Sequence, residues 1–121
     1  MDKEQSLHKF WSSFDLPAYD ELTVPEDAKL PYITYNVVDD KLDRPVSLHG
    51  SLWYRDTTWT AIDAKKNEIA QYLEGFVTIK LDNGWVWLVQ GSPFAQRMEE
   101  PNDEQIRRIY INIRAEFLTA Y

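Results

Sequence analysis

VSLHGSLWYRDTTWTAIDAKKNEIAQYL, residues 46–73, changes its period once, and that change decides the architecture. Val46, Leu48, Leu52 and Tyr54 fall on one side of an alternating pattern, and Ser47, His49, Ser51 and Trp53 on the other. Period-two alternation marks a half-buried strand. Asp56-Thr57-Thr58 breaks it. Trp59, Ile62, Ile69 and Leu73 then recur at helical spacing, with Gly75 just past the end. Small polar residues before such a run and a glycine after it are helix start and stop signals. Lys66 interrupts the stripe, and its aliphatic stem can lie along the apolar face. A helix with an apolar stripe must lay it on a sheet built from the remaining strands. No catalytic constellation lies on this unit.

Outward from it, the hairpin signal is the strongest. Two apolar alternating runs, 76–81 and 85–90, meet at Asp82-Asn83-Gly84. Asn-Gly between such runs favours a two-residue turn. With Asn83 and Gly84 as the loop, Asp82 pairs with Trp85, Lys80 with Trp87 and Thr78 with Val89. Val77, Ile79, Leu81, Val86 and Leu88 then form the core face. The other face sets two indoles beside Lys80. Two readings stand for Trp85 and Trp87: the N-terminal helix covers them, or another subunit does.

The last element, 106–120, splits cleanly. Ile109, Ile111, Ile113, Ala115 and Phe117 make one face; Arg108, Tyr110, Asn112, Arg114 and Glu116 make the other. Such a split fits an antiparallel sheet with one covered face. The strand exceeds the usual length of about 5–6 residues, so it is either central and bent or projects at its end. Residues 2–14 read as an amphipathic helix on Leu7, Phe10, Trp11 and Phe14, with Asp2 and Gln5 placed to cap it. Residues 15–31, with Pro17, Pro25 and Pro31, read as an extended connection, either a stiffened surface loop or a clasp on a neighbour. A strand is expected over 32–38. The loop at 39–45 is acidic, but it lacks the central glycine of a calcium loop and puts Lys41 at a ligand position. Residues 91–105 read as an irregular loop. Within it, Phe94, Arg97 and Met98 are residue types that enrich at contact cores.

The expectation is one α+β domain over 1–121: a mostly antiparallel sheet of about five strands, helices on one face, in the order α-β-β-α-β-β-β.

Bulk composition narrows the function classes. Lys plus Arg is 13 and Asp plus Glu is 20, a net charge of −7. Non-specific grip on nucleic-acid phosphates needs the opposite sign. With Cys at 0, disulfides, thiolate metal sites and cysteine nucleophiles are excluded. His8 and His49 have no carboxylate at ligand spacing, the Gly-x-Ser-x-Gly elbow is missing, and there is no phosphate-cradling glycine loop. The acidic run at 99–104 reads as a solvated turn. No catalytic residue, cofactor or metal is expected. The start of the chain has no apolar signal region and no apolar run approaches a membrane span. Five Trp, seven Tyr and five Phe are a high aromatic load, useful in cores and interfaces alike.

LPYITY at 30–35, VSL through LWYR within 46–55, GSPFAQRM at 91–98, and IRRIY through AEFLT within 106–119 resemble the small tail-terminator, or tail-completion, proteins of long-tailed, non-contractile bacteriophages and related prophages. The likeness is of overall phrasing and carries over no catalytic signature. It implies a structural virion protein, not an enzyme. Such a protein forms a ring, usually hexameric, that caps the tail tube, stops its polymerisation and docks to the head-tail connector protein. The implied partners are further copies of itself, the tail tube protein and that connector, with DNA passing through the lumen unbound. The implied location is the head-proximal end of the tail, and the host cytoplasm during assembly. Lys80, Trp85, Trp87, Phe94, Arg97 and Met98 are the interface residues expected on this reading. The alternatives are another connector or head-completion protein, and a small acidic protein-binding module.

Overall fold

The computed structural model describes residues 3–36, 46–75, 77–82 and 84–119. Elements run α1 (Lys3–Ser12), β1 (Ala18–Asp20), β2 (Tyr32–Tyr35), β3 (Val46–Arg55), α2 (Thr60–Tyr72), β4 (Val77–Leu81), β5 (Gly84–Met98) and β6 (Ile106–Thr119). The strands form one six-stranded sheet in the order β1-β2-β3-β6-β5-β4. Pairing is antiparallel throughout except between β1 and β2, which run parallel. The fold is α+β with a mixed sheet.

The strand-to-helix unit forms as its periods dictate. Val46, Leu48 and Leu52 are buried on one face of β3. Asp56 ends the strand: its Oδ1 accepts the N–H of Thr57 at 2.7 Å and of Thr58 at 3.3 Å. Such local bonds compete with a continuing ladder and turn the chain. Ile62, Ile69 and Leu73 are then buried on α2 and just beyond it. Gly75 follows with φ +79, the left-handed value that glycine adopts without a Cβ penalty.

β6 is central, paired along its length with β3 on one side and β5 on the other. That resolves the two options for the long strand. Ile109, Ile111, Ile113 and Ala115 are each at most 1% exposed and form the floor of the core. Both helices cover this floor. Leu7, Phe10, Trp11 and Phe14 of α1 and its exit pack into the same cluster as Ile62 and Ile69. The helices also touch each other: Lys65 Nζ donates to the Phe14 carbonyl at 2.7 Å, and the Phe14 and Tyr72 rings meet edge to face at 5.4 Å.

Four expectations need correction. The sheet has six strands, not about five, because Ala18–Asp20 pairs with β2 inside the supposed connection. Three residues are too few to show a period beside Pro17. Second, Gly91–Met98 is strand and not loop; β5 passes a register shift between Gln90 and Ala95 and resumes pairing with β6. A bulge hides a strand from pattern reading because it resets the alternation. Third, the hairpin register differs by two residues: Lys80 pairs with Trp85 and Thr78 with Trp87. A shift of two preserves the faces, so the split into core and indole sides stands. Fourth, α1 ends at Ser12 and β2 at Tyr35, inside the expected bounds. The expected cap at Asp2, the 39–45 loop, the end of the expected strand at 37–38 and Asn83 lie outside the described residues.

A candidate interface on the uncovered sheet face

Among the described residues, the sheet has one face under helices and one without them. Alternation assigns the second. Ser47, His49, Ser51 and Trp53 of β3 stand on it with Arg108, Tyr110, Asn112 and Arg114 of β6, opposite the isoleucine floor. Across the next ladder, Trp85 faces Leu118 and Trp87 faces Glu116. The helix α1 therefore cannot cover the indoles. It lies on the far side, where Trp11 meets Gly50.

The middle of this face is held by its own side chains. Arg108 stacks its guanidinium 4.6 Å from the Trp53 ring centroid and donates from Nε to Ser51 Oγ at 3.2 Å. Trp53 Nε1 donates to Thr34 Oγ1 at 2.8 Å. Thr34 and Ser51 are thereby buried although, among the described residues, no helix lies over them. Tyr19 and Tyr32 meet edge to face at 5.6 Å, and His49 stacks on Tyr110 at 5.1 Å. Burial raises the Tyr110 phenol above its ordinary value; Glu21 adds to the rise and Arg108 opposes it.

Towards β4 the face opens. Trp85 is 47% exposed, Trp87 42% and Leu118 40%, on adjacent strands. Lys80 is exposed beside them, as the cross-strand neighbour of Trp85. Scattered single exposed apolar residues are normal, whereas a contiguous group with two indoles is a candidate contact surface. Of the six expected interface residues, the fold brings together Lys80, Trp85 and Trp87.

The other three lie elsewhere. Arg97 pairs in register with Ile109 and so belongs to the helix-covered side. It binds Asp63 of α2 at 2.7 Å and lies 4.6 Å from the centroid of Trp59. Phe94 is partly buried against the core. Met98 is half-buried near the end of β5, its sulfur accepting a hydrogen bond from Gln96 Nε2 at 3.4 Å. Leu118, which sequence reading passed over, joins the indoles; its i+2 spacing from Glu116 carried that signal.

Two cavities bear on chemistry. The larger, about 560 Å³, lies between Trp59, Arg97, Arg107, Glu99, Glu100 and Glu104. With Asp103 its carboxylates outnumber its two arginines, and Arg97 and Asp103 are already paired, with Asp63 and Arg55. Arg107 is fastened there by donating to the carbonyls of Glu104 at 2.6 Å and Thr57 at 3.2 Å. A smaller one, about 180 Å³, is lined by His49, Tyr110, Asn112, Gln96, Pro93 and Ala95. No carboxylate is among these lining residues, so His49 has no acid partner in it. Among the described residues no group of three His, Asp or Glu side chains is placed to hold a metal ion, and no helix is long and apolar enough to cross a membrane.

What the geometry defines is an α+β domain whose helix-free face ends in an aromatic patch. No family model matches the chain, and no curated protein or solved structure is significantly similar to it.

Proposed function

We propose that the chain is a structural subunit of a ring that caps the tail tube of a long-tailed, non-contractile bacteriophage or prophage, stops tube polymerisation and joins the tail to the head connector. The observation that carries this reading is the exposed group Trp85, Trp87 and Leu118 on the sheet face that no helix covers among the described residues. Burying two half-exposed indoles and a leucine against a neighbouring copy supplies the apolar centre a stable contact needs. The phrasing at 30–35, 46–55, 91–98 and 106–119 supports the tail-terminator family in particular. The net charge of −7 suits a lumen through which DNA slides without sticking.

Size-exclusion chromatography with light scattering tests it, on the chain alone and with the tube protein of the same particle. The expected result is a ring-sized species, alone or on the tube end. It is lost when Trp85 and Trp87 are both replaced by Ser, while the circular dichroism of the monomer is kept. A chain that stays monomeric with the tube protein present, and instead binds one unrelated protein as a monomer, overturns the ring in favour of a small acidic binding module. Unfolding of the double variant overturns the assignment of the indoles to an interface.

A further inference from the structure

The two outer edges of the sheet carry features that fit one another. At the β1 edge, Leu22 is 86% exposed. It stands on an ordered turn: its N–H donates to Asp20 Oδ1 at 2.9 Å, and the Thr23 N–H donates to the Asp20 carbonyl at 3.0 Å. The Glu21 N–H donates to the Tyr35 carbonyl at 2.8 Å and ties the turn to β2. A leucine held out in water by three hydrogen bonds is a pre-organised knob, for which little ordering entropy remains to be lost on docking. Glu21 beside it is exposed.

At the β4 edge, a cavity of about 350 Å³ opens between α1, the end of α2 and β4. Phe10, Tyr72 and Ile79 give it apolar walls, and Lys9 and Lys80 stand at it. Ser6 also lines it; that residue is 1% exposed, and its hydroxyl has no hydrogen-bond partner. Among the described residues neither lysine takes part in an ion pair. In a chain with 20 acidic and 13 basic residues, two unpaired cations beside an apolar hole select an occupant that is acidic and apolar together. A buried hydroxyl without a partner is a cost that an incoming acceptor removes.

We infer that the Leu22 turn of one subunit seats in the Ser6, Phe10, Tyr72 and Ile79 cavity of the next, with Glu21 against Lys9 and Lys80. The inference rests on the ring reading and specifies its contact. Knob and hole are different surface patches, the knob beside the first strand of the sheet order and the hole beside the last. Repeated head to tail, a contact between two such different patches is heterologous and generates a ring where its rotation closes. The hole also adjoins the indole patch, since Lys80 is the cross-strand neighbour of Trp85.

The chain has no cysteine, so engineered thiols report alone. Under mild oxidation, Leu22→Cys with Lys80→Cys in one chain gives a ladder of cross-linked species. Leu22→Cys with Glu116→Cys, the latter on the open face, gives at least ten-fold less. Both 22 and 80 are exposed; should that pair perturb the fold by circular dichroism, Glu21→Cys with Lys9→Cys asks the same question. A yield no higher than that of the Glu116 control overturns the knob and hole. If light scattering still records assembly, the ring stands and its contact lies elsewhere; if assembly and cross-linking both fail, the ring falls too. Leu22→Asp is expected to weaken association at least ten-fold.

Discussion

The Trp11 indole lies against Gly50, so close that a Cβ built there falls 2.6 Å from its Cη2 and 2.8 Å from its Cζ3. With Leu7, Phe10 and Phe14, this contact seats α1 on the sheet. Trp11 is buried and stacks nearly parallel to Tyr35 at 6.3 Å, with Phe10 edge-on at 5.0 Å. The ring has no room to retreat. Gly50→Ala is therefore expected to destabilise the domain by about 1–3 kcal/mol, the usual cost of overpacking. Trp11→Ala, which empties the same site, should cost about 3–5 kcal/mol. Urea unfolding followed by circular dichroism measures both; a neutral Gly50→Ala would mean that α1 docks more loosely than this contact implies.

Gly50 also marks where sequence reading stops. The alternation over 46–54 gives the strand and its faces, and the helical spacing that follows gives α2. Neither period says that the glycine faces an indole from residue 11. Contacts between distant segments depend on strand order, and strand order is set by packing rather than by local pattern. Likewise the isoleucines of β6 announced a core face, and the indoles of β5 announced the opposite one. The absence of any helix over those indoles came only with the placement of α1. The place of Arg97 was illegible for a different reason: the bulge after Gln90 puts it on the helix side, and no residue type signals that.

Arg108 joins three neighbours on the open face, and its loss should be felt by all of them. Its guanidinium lies on Trp53, its Nε donates to Ser51, and its Nη1 is 3.6 Å from Glu100. Arg108→Ala leaves the buried Ser51 hydroxyl without its donor and uncovers the indole. A loss of about 1–3 kcal/mol is expected, in the range for an unsatisfied buried group. Arg108→Lys should recover part of the stability but not the planar stacking. Trp53→Phe removes the bond to Thr34 and shrinks the ring under the Arg108 guanidinium, and should cost about 1–3 kcal/mol. Denaturant midpoints for the three variants rank these contributions.

Three tyrosines should titrate late. Burial raises the phenols of Tyr35, Tyr54 and Tyr110; Asp20 and Glu4 add to the first, and Glu68 to the second. The folded state thus keeps these protons where the unfolded state releases them. Their contribution is fully present below the ordinary tyrosine value of about 10 and is lost as pH rises through the folded values. Absorbance at the phenolate band should show part of the seven tyrosines ionising above that value in the native protein. The delay should vanish in concentrated guanidinium. Stability should fall over the same alkaline range. A single native transition identical to the unfolded one would show that these phenols are not sheltered.

The contrast between Arg97 and the indoles separates stability from assembly. Arg97 is half in water, its side chain 56% exposed, and its partners Asp63 and Trp59 are both within the same subunit. An ion pair so open to solvent contributes at most about 1 kcal/mol, and salt screens it. Arg97→Ala should lower the denaturant midpoint slightly, by an amount that shrinks at high ionic strength. It should leave the mass measured by light scattering unchanged. Replacing Trp85 and Trp87 should do the reverse, changing the mass and largely sparing the midpoint, because neither indole belongs to the buried core cluster. Were Arg97→Ala to dissociate the assembly while its stability held, the ion pair with Asp63 would have to open in the assembled state, and the interface would extend over the edge of the sheet to the start of α2.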